Sequence, residues 1–131
     1  MDKNFLNDII NKLQKMGCDE SDVFFSKVET VSSSSRLAKI EKTEKSSVGE
    51  IGIRAIINKR QSIVSTTNLE KKNIEYLVEK VFQMAKVVPK NKFCGLANSE
   101  NVKKVNKSEL EKLKLSDPFQ PSIEKIKEEV I

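Results

Sequence analysis

Ile51-Gly52-Ile53-Arg54-Ala55-Ile56-Ile57-Asn58-Lys59-Arg60-Gln61-Ser62-Ile63-Val64-Ser65-Thr66 is the stretch on which the fold turns. Residues 51–57 are rich in isoleucine and read as a strand, and residues 61–66 read as the strand that returns. Between them, Asn58-Lys59 suits a two-residue turn whose backbone takes positive φ. An antiparallel hairpin is the consequence. Gly49 and Gly52 interrupt the wall of side chains on the outgoing strand, as at a bulge or a close backbone approach.

Downstream, Thr67-Asn68-Leu69-Glu70 has the form of a capping box, with a hydroxyl and a carboxylate placed to satisfy the open donors of a helix start. Ile74, Leu77, Val78, Val81, Phe82, Ala85 and Val88 then recur at helical spacing until Pro89. Such a stripe belongs in a core. Upstream, residues 37–45 are polar apart from Ile40, which predicts an outer strand guarded by lysines. Residues 22–36 combine Val23-Phe24-Phe25 and Val28-Glu29-Thr30-Val31 with a serine run at Ser32–Ser35, and predict a long strand that becomes exposed. Residues 5–16 carry an amphipathic stripe closed by Gly17, the usual residue just past a helix end. The expected class is α+β: a mainly antiparallel four-stranded sheet with helices packed on one face, in the order helix, strands, helix.

Beyond Pro89 the pattern loosens. Phe93-Cys94-Gly95-Leu96-Ala97 is an apolar island, read as a plug against the core. Residues 106–115 suit a short helix, and Ser116-Asp117-Pro118-Phe119-Gln120-Pro121 is a proline-punctuated break. Ser122 then opens a new amphipathic helix with apolar positions at 123, 126 and 130. Its stripe is still running at Ile131, which predicts a chain cut from a longer protein. The expected organisation is an N-terminal domain over 1–98, a loop with a short helix over 99–121, and the start of a following helix over 122–131.

The 131 residues contain no histidine. That absence removes HExxH zinc sites, Ser-His-Asp triads and Cys-His dyads from this stretch. The charge is +5, from 24 Lys and Arg against 19 Asp and Glu. Basic and acidic residues alternate through 39–45 and 109–112, as on a solvated surface, so nucleic acid is not an expected partner. Cys18 and Cys94 form no CxxC pair and read as reduced thiols in a cytoplasmic protein. No segment resembles a signal peptide or a membrane span.

Four features invite a chemical reading, and each has a plainer one. Asp19, Glu20 and Asp22 lack the ligand spacing of a calcium loop and read as a charged connection. Ser32–Ser35 offer hydroxyls without a base. Gly49-Glu50-Ile51-Gly52 matches neither GxGxxG nor GxxxxGK. Lys59-Arg60, Lys71-Lys72 and Lys103-Lys104 become a phosphate-binding surface only if the fold brings them together. No catalytic, cofactor-binding or metal-ligating residue is expected here.

In order and spacing, Ser47-Val48-Gly49-Glu50-Ile51-Gly52-Ile53-Arg54-Ala55-Ile56-Ile57, Ser62-Ile63-Val64-Ser65-Thr66-Thr67-Asn68-Leu69 and Met84-Ala85-Lys86 resemble the N-terminal domain of the TldD/PmbA family. Ser33-Ser34-Ser35-Arg36 with Ile40-Glu41 is similar to the family's serine-rich strand and the turn after it, and Phe93-Cys94-Gly95-Leu96-Ala97 and Ser116-Asp117-Pro118 to later segments. The Cys-Gly-Leu-Ala segment leans toward the PmbA branch, also called TldE. The resemblance covers nearly the whole chain. It implies a parent about three times longer and a two-subunit assembly. In that assembly TldD carries an HExxxH-type metal motif and cleaves peptides, while TldE lacks the motif. It further implies roles in maturing microcin-class peptide antibiotics and in antitoxin turnover, and explains the older name, modulator of DNA gyrase.

On that resemblance the chain is expected to be a non-catalytic N-terminal domain of a PmbA/TldE-like subunit, shaping a peptide-processing chamber. Its partners would be a TldD-like subunit, or a second copy through self-association, and a peptide substrate. No cofactor is expected in this stretch, and zinc or another divalent metal would sit in the partner or the C-terminal part of the parent. Two alternatives are a basic nucleic-acid-associated module linked to gyrase, and the leading part of a parent that is itself a metallopeptidase.

Overall fold

The computed structural model describes residues 2–131. Among them, α1 (Lys3–Met16) is followed by β1 (Glu20–Arg36), β2 (Lys39–Ile57), β3 (Arg60–Thr66), α2 (Lys71–Val87), α3 (Lys107–Lys112) and α4 (Ile123–Glu129), with one 3₁₀ turn at Ser99–Asn101. The sheet has three strands in the order β1-β2-β3. The α+β class stands, but among the described residues there is no fourth strand. Residues 37–45 were expected to form a strand separate from 51–57. Instead, residues 39–45 and 51–57 both belong to β2, a single 19-residue strand that lies between its neighbours.

The physical reason is where the chain reverses. Leu37 and Ala38 take φ of 51° and 56°, so a tight turn of mirror-image type joins β1 directly to β2. Glycine at 49 and 52 leaves β2 running straight through. At Gly49 a Cβ would lie 3.1 Å from Leu69 Cδ1 and 3.4 Å from the Phe25 ring, so the missing side chain makes room for neighbours. The hairpin expected at 58–59 is present: Asn58 and Lys59 have φ of 48° and 61°, and Ile57 pairs with Arg60 through to Ile51 with Thr66.

The chain divides into two compact units, Met1–Val28 with Val48–Leu96, and Glu29–Ser47 with Ala97–Ile131. In the first, alternation along β2 sends Ile51, Ile53 and Ala55 to one face, where they are fully buried with Ile9 and Leu13 of α1. From α2 come Ile74, Val78, Val81, Phe82 and Ala85. Full burial of each large aliphatic chain is worth about 1.5–3 kcal/mol, so this cluster holds the unit together. Gly17 closes α1 at φ 104°, where its amide and that of Cys18 satisfy the last carbonyls.

The start of α2 departs from the expected capping box. Its N-cap is Glu70, without a side-chain cap bond. Thr66 and Asn68 do the local work: Thr66 Oγ1 accepts from the Asn68 amide, and Asn68 Oδ1 from the Glu70 amide. The second unit contains the β1–β2 turn and the C-terminal helices. Ser33 and Thr43 hydroxyls meet across the ribbon at 3.1 Å. Asn106 and Glu109 form a reciprocal capping box at α3, and Ser122 caps α4. The Ser35 hydroxyl donates to the carbonyl of Val130. Neither α3 nor α4 buries a residue fully.

Candidate functional site

Residues of the sheet that point away from the α1–α2 core form an outer face. Register places Arg54 opposite Ile63 and Ile56 opposite Gln61 on it. Ile56 is nevertheless 2% exposed. What covers this end is the chain after α2, which returns across it as a strap. The Asn91 amide donates to the Lys59 carbonyl at 2.8 Å, Lys59 Nζ to the Cys94 carbonyl at 2.9 Å, and the Leu96 amide to Glu20 Oε2 at 2.6 Å. The Cys94 thiol faces Gln61 Oε1 at 3.6 Å. The apolar island thus covers the Ile56 end of the outer face and stays outside the helix-packed core. Cys94 is buried, while Phe93 is turned out and 84% exposed.

The three clustered carboxylates are all committed. Asp19 Oδ2 accepts from the Asn58 amide at 2.6 Å and so clamps the hairpin turn. Glu20 holds the strap. Asp22 takes a two-pronged bond from Arg54, which holds the guanidinium more firmly protonated than usual, chiefly through that hydrogen bond. Among the described residues, no group of three or more His, Cys, Asp or Glu is arranged to hold a metal ion. Ser33 and Ser35 of β1 bond to Lys42, Thr43 and Val130, with no base among these partners. Both cysteines are free and buried. Burial, followed by the charge of Asp19, pushes the Cys18 thiol pKa up, the direction that makes it unreactive.

The basic pairs do not converge as pairs. Lys71-Lys72 open α2 and Lys59-Arg60 sit beside its other end, where an Arg60 Nη1 donates to the Lys86 carbonyl at 2.5 Å. A helix of 17 residues separates the two ends by about 25 Å. Instead, Lys59 and Arg60 are tied to the strap and the end of α2, through Asn91, Cys94 and the Lys86 carbonyl, the stretch that carries Lys86, Lys90 and Lys92. A cue for this grouping was present in the sequence: no Asp or Glu occurs in residues 51–69 or 80–99, the two stretches the fold brings together.

Among the described residues, no helix is long and apolar enough to cross a membrane. A sequence profile described as PmbA/TldA metallopeptidase domain 1 matches residues 21–85, from the start of β1 to near the end of α2. No curated protein matches the chain in sequence. Two solved structures share its fold. One is a candidate modulator of DNA gyrase from Bacteroides thetaiotaomicron, at 19% identity and a TM-score of 0.72 over 80% of this chain. The other is TldE from Thermococcus kodakarensis, at 20% identity and a TM-score of 0.65 over 77%. The matches span 24% and 23% of those proteins, so this chain corresponds to about a quarter of their length. Through the domain formed by residues 21–85, the chain belongs to the PmbA/TldD family.

Proposed function

We propose that the chain is a non-catalytic domain of a PmbA/TldE-like subunit, working beside a TldD-like subunit in a peptide-cleaving metalloprotease. The observation that carries this reading is the fate of its carboxylates. Asp19, Glu20 and Asp22 are consumed as acceptors for backbone amides and Arg54, in a chain with no histidine. A divalent metal needs several free oxygen or nitrogen ligands, and these residues do not fit one. The family's metal then belongs to another part of the assembly, and no step of hydrolysis passes through this chain.

The structural role proposed is that of a wall and a partner surface. Among the described residues, β3 pairs with residues 51–57 of β2, so residues 39–50 have β1 on one side and no strand of the sheet on the other. Unpaired backbone donors and acceptors of that kind accept an extended peptide by strand addition. The test mixes this chain with a TldD-like subunit and follows co-elution, peptide cleavage and amide hydrogen exchange. Co-elution, with added protection in residues 39–50 on addition of peptide, is the expected result. Failure to co-elute, or chelator-sensitive cleavage by this chain alone, overturns it, the latter in favour of a parent that is itself a metallopeptidase.

A further inference from the structure

At the end of the first unit where the hairpin turn meets the strap, five cations gather: Lys59, Arg60, Lys86, Lys90 and Lys92. Lys59 reaches the Cys94 carbonyl, Arg60 the Lys86 carbonyl, and Lys86 and Lys92 lie over the rings of Phe82 and Phe93 at 4.2 and 4.9 Å. Among the described residues, none of the five is ion-paired with a carboxylate. Some lysines elsewhere at the surface do pair, as Lys12–Glu79, Lys42–Glu44 and Lys103–Glu109. The nearest acids are Asp19 and Glu20, and both already accept backbone amides. Part of this charge serves the fold, since cations beside the last turn of α2 complement its dipole. That role explains Lys86 and Arg60, and leaves Lys90 and Lys92 without a structural task.

Beside these cations lies an open groove of about 390 Å³, lined by Gln61, Pro89, Asn91, Phe93, Cys94 and Gly95, with Lys90 and Lys92 next in the chain to its lining residues. Asn91 Oδ1 accepts from the Phe93 amide and Gln61 Oε1 faces the Cys94 thiol, so each side chain spends its oxygen on the strap. Their NH₂ groups remain as donors. The groove therefore combines two planar amide donors and an exposed aromatic ring, with Lys92 over that ring and Lys90 next to Asn91 in the chain. We propose that this groove binds a phosphorylated nucleotide unit, with the phosphates on the lysines and the base against Phe93, held by Asn91 and Gln61. The unit is supplied either by single-stranded nucleic acid or by a free nucleotide. An acidic peptide would use the same lysines but would have no use for the ring or the amides.

The proposal is independent of the protease reading and is tested with the 131-residue chain. A fluorescent oligo(dT) strand is titrated by anisotropy at 50 and 100 mM NaCl, and ADP and a poly-glutamate peptide are used as competitors. Two phosphate contacts, from Lys90 and Lys92, give a salt exponent of about −1.4 for a single strand, hence about a 2.5-fold loss of affinity on doubling the salt. Phe93→Ala removes stacking and is expected to weaken binding about fivefold or more, and Lys90→Glu with Lys92→Glu to abolish it. All three side chains are exposed, so these variants keep the fold. Lys103→Glu with Lys104→Glu is the control and changes affinity little. Competition by ADP identifies the free nucleotide as a source, and oligonucleotide binding without it identifies the strand; either supports the site. No binding of either probe, affinity indifferent to Phe93→Ala, or poly-glutamate bound as tightly as oligo(dT) overturns it.

Discussion

Ser62 is the polar residue whose replacement most directly tests how α2 is fastened to the sheet. It lies on β3 opposite Ala55, is 5% exposed, and donates its hydroxyl to the Val81 carbonyl of α2 at 2.6 Å. Val81 lies within the helix, so its carbonyl keeps the ladder bond from the amide four residues on when the serine is removed. Ser62→Ala therefore orphans nothing and loses the net worth of one hydrogen bond, about 1 kcal/mol. With a urea m-value of about 1.5 kcal/mol/M, the midpoint falls by about 0.7 M. Ser62→Val loses the same bond and adds two methyl groups between helix and sheet, where overpacking costs about a further 1–3 kcal/mol. The expected order in urea unfolding by circular dichroism is serine, then alanine, then valine. A simple hydrophobic ranking gives the reverse order, and a valine variant more stable than wild type would refute the account.

The reversal at Leu37-Ala38 holds two residues other than glycine or asparagine in the left-handed region, where a side chain costs about 1 kcal/mol or more. Leu37 is 89% exposed and loses nothing by substitution, so Leu37→Asn with Ala38→Gly should raise the melting temperature by several degrees in calorimetry. An unchanged or lower melting temperature would show that the turn carries no strain. Cys18 supplies a pH dependence. Its pKa is raised in the folded state, so the thiol's contribution is fully present below its unfolded value of about 8.5 and is lost as pH rises through the folded value. Urea midpoints measured from pH 7 to 10 should fall more for the wild type than for Cys18→Ala, and parallel curves would contradict this.

Much of the fold was legible because it rests on local chemistry. Helical spacing in residues 5–16 and 74–88, glycine at 17 and proline at 89 marked α1 and α2, and Asn58-Lys59 between two isoleucine- and valine-bearing runs marked the hairpin. The strand count failed on a long-range choice. The polar stretch at 37–45 reads as a separate outer strand, yet after the turn at Leu37-Ala38 it runs in one strand into 51–57. The capping box at Thr67 failed because Thr66 and Asn68, on either side of it, supplied competing side-chain acceptors.

The sequence by itself determined the chemistry this chain lacks. No histidine can arise from folding, and the order of its strand and helix segments already carried the family. Tertiary structure alone decided which groups meet. Ile63 points outward at 56% exposure while Ser62 points in, the opposite of their hydropathy, because pairing with Arg54 and Ala55 fixes which face each occupies. It likewise committed Asp19, Glu20 and Asp22 to local hydrogen bonds and gathered Lys59, Arg60, Lys86, Lys90 and Lys92 at one end. Alternation along a strand is local, but its phase is set by partners far away in the chain.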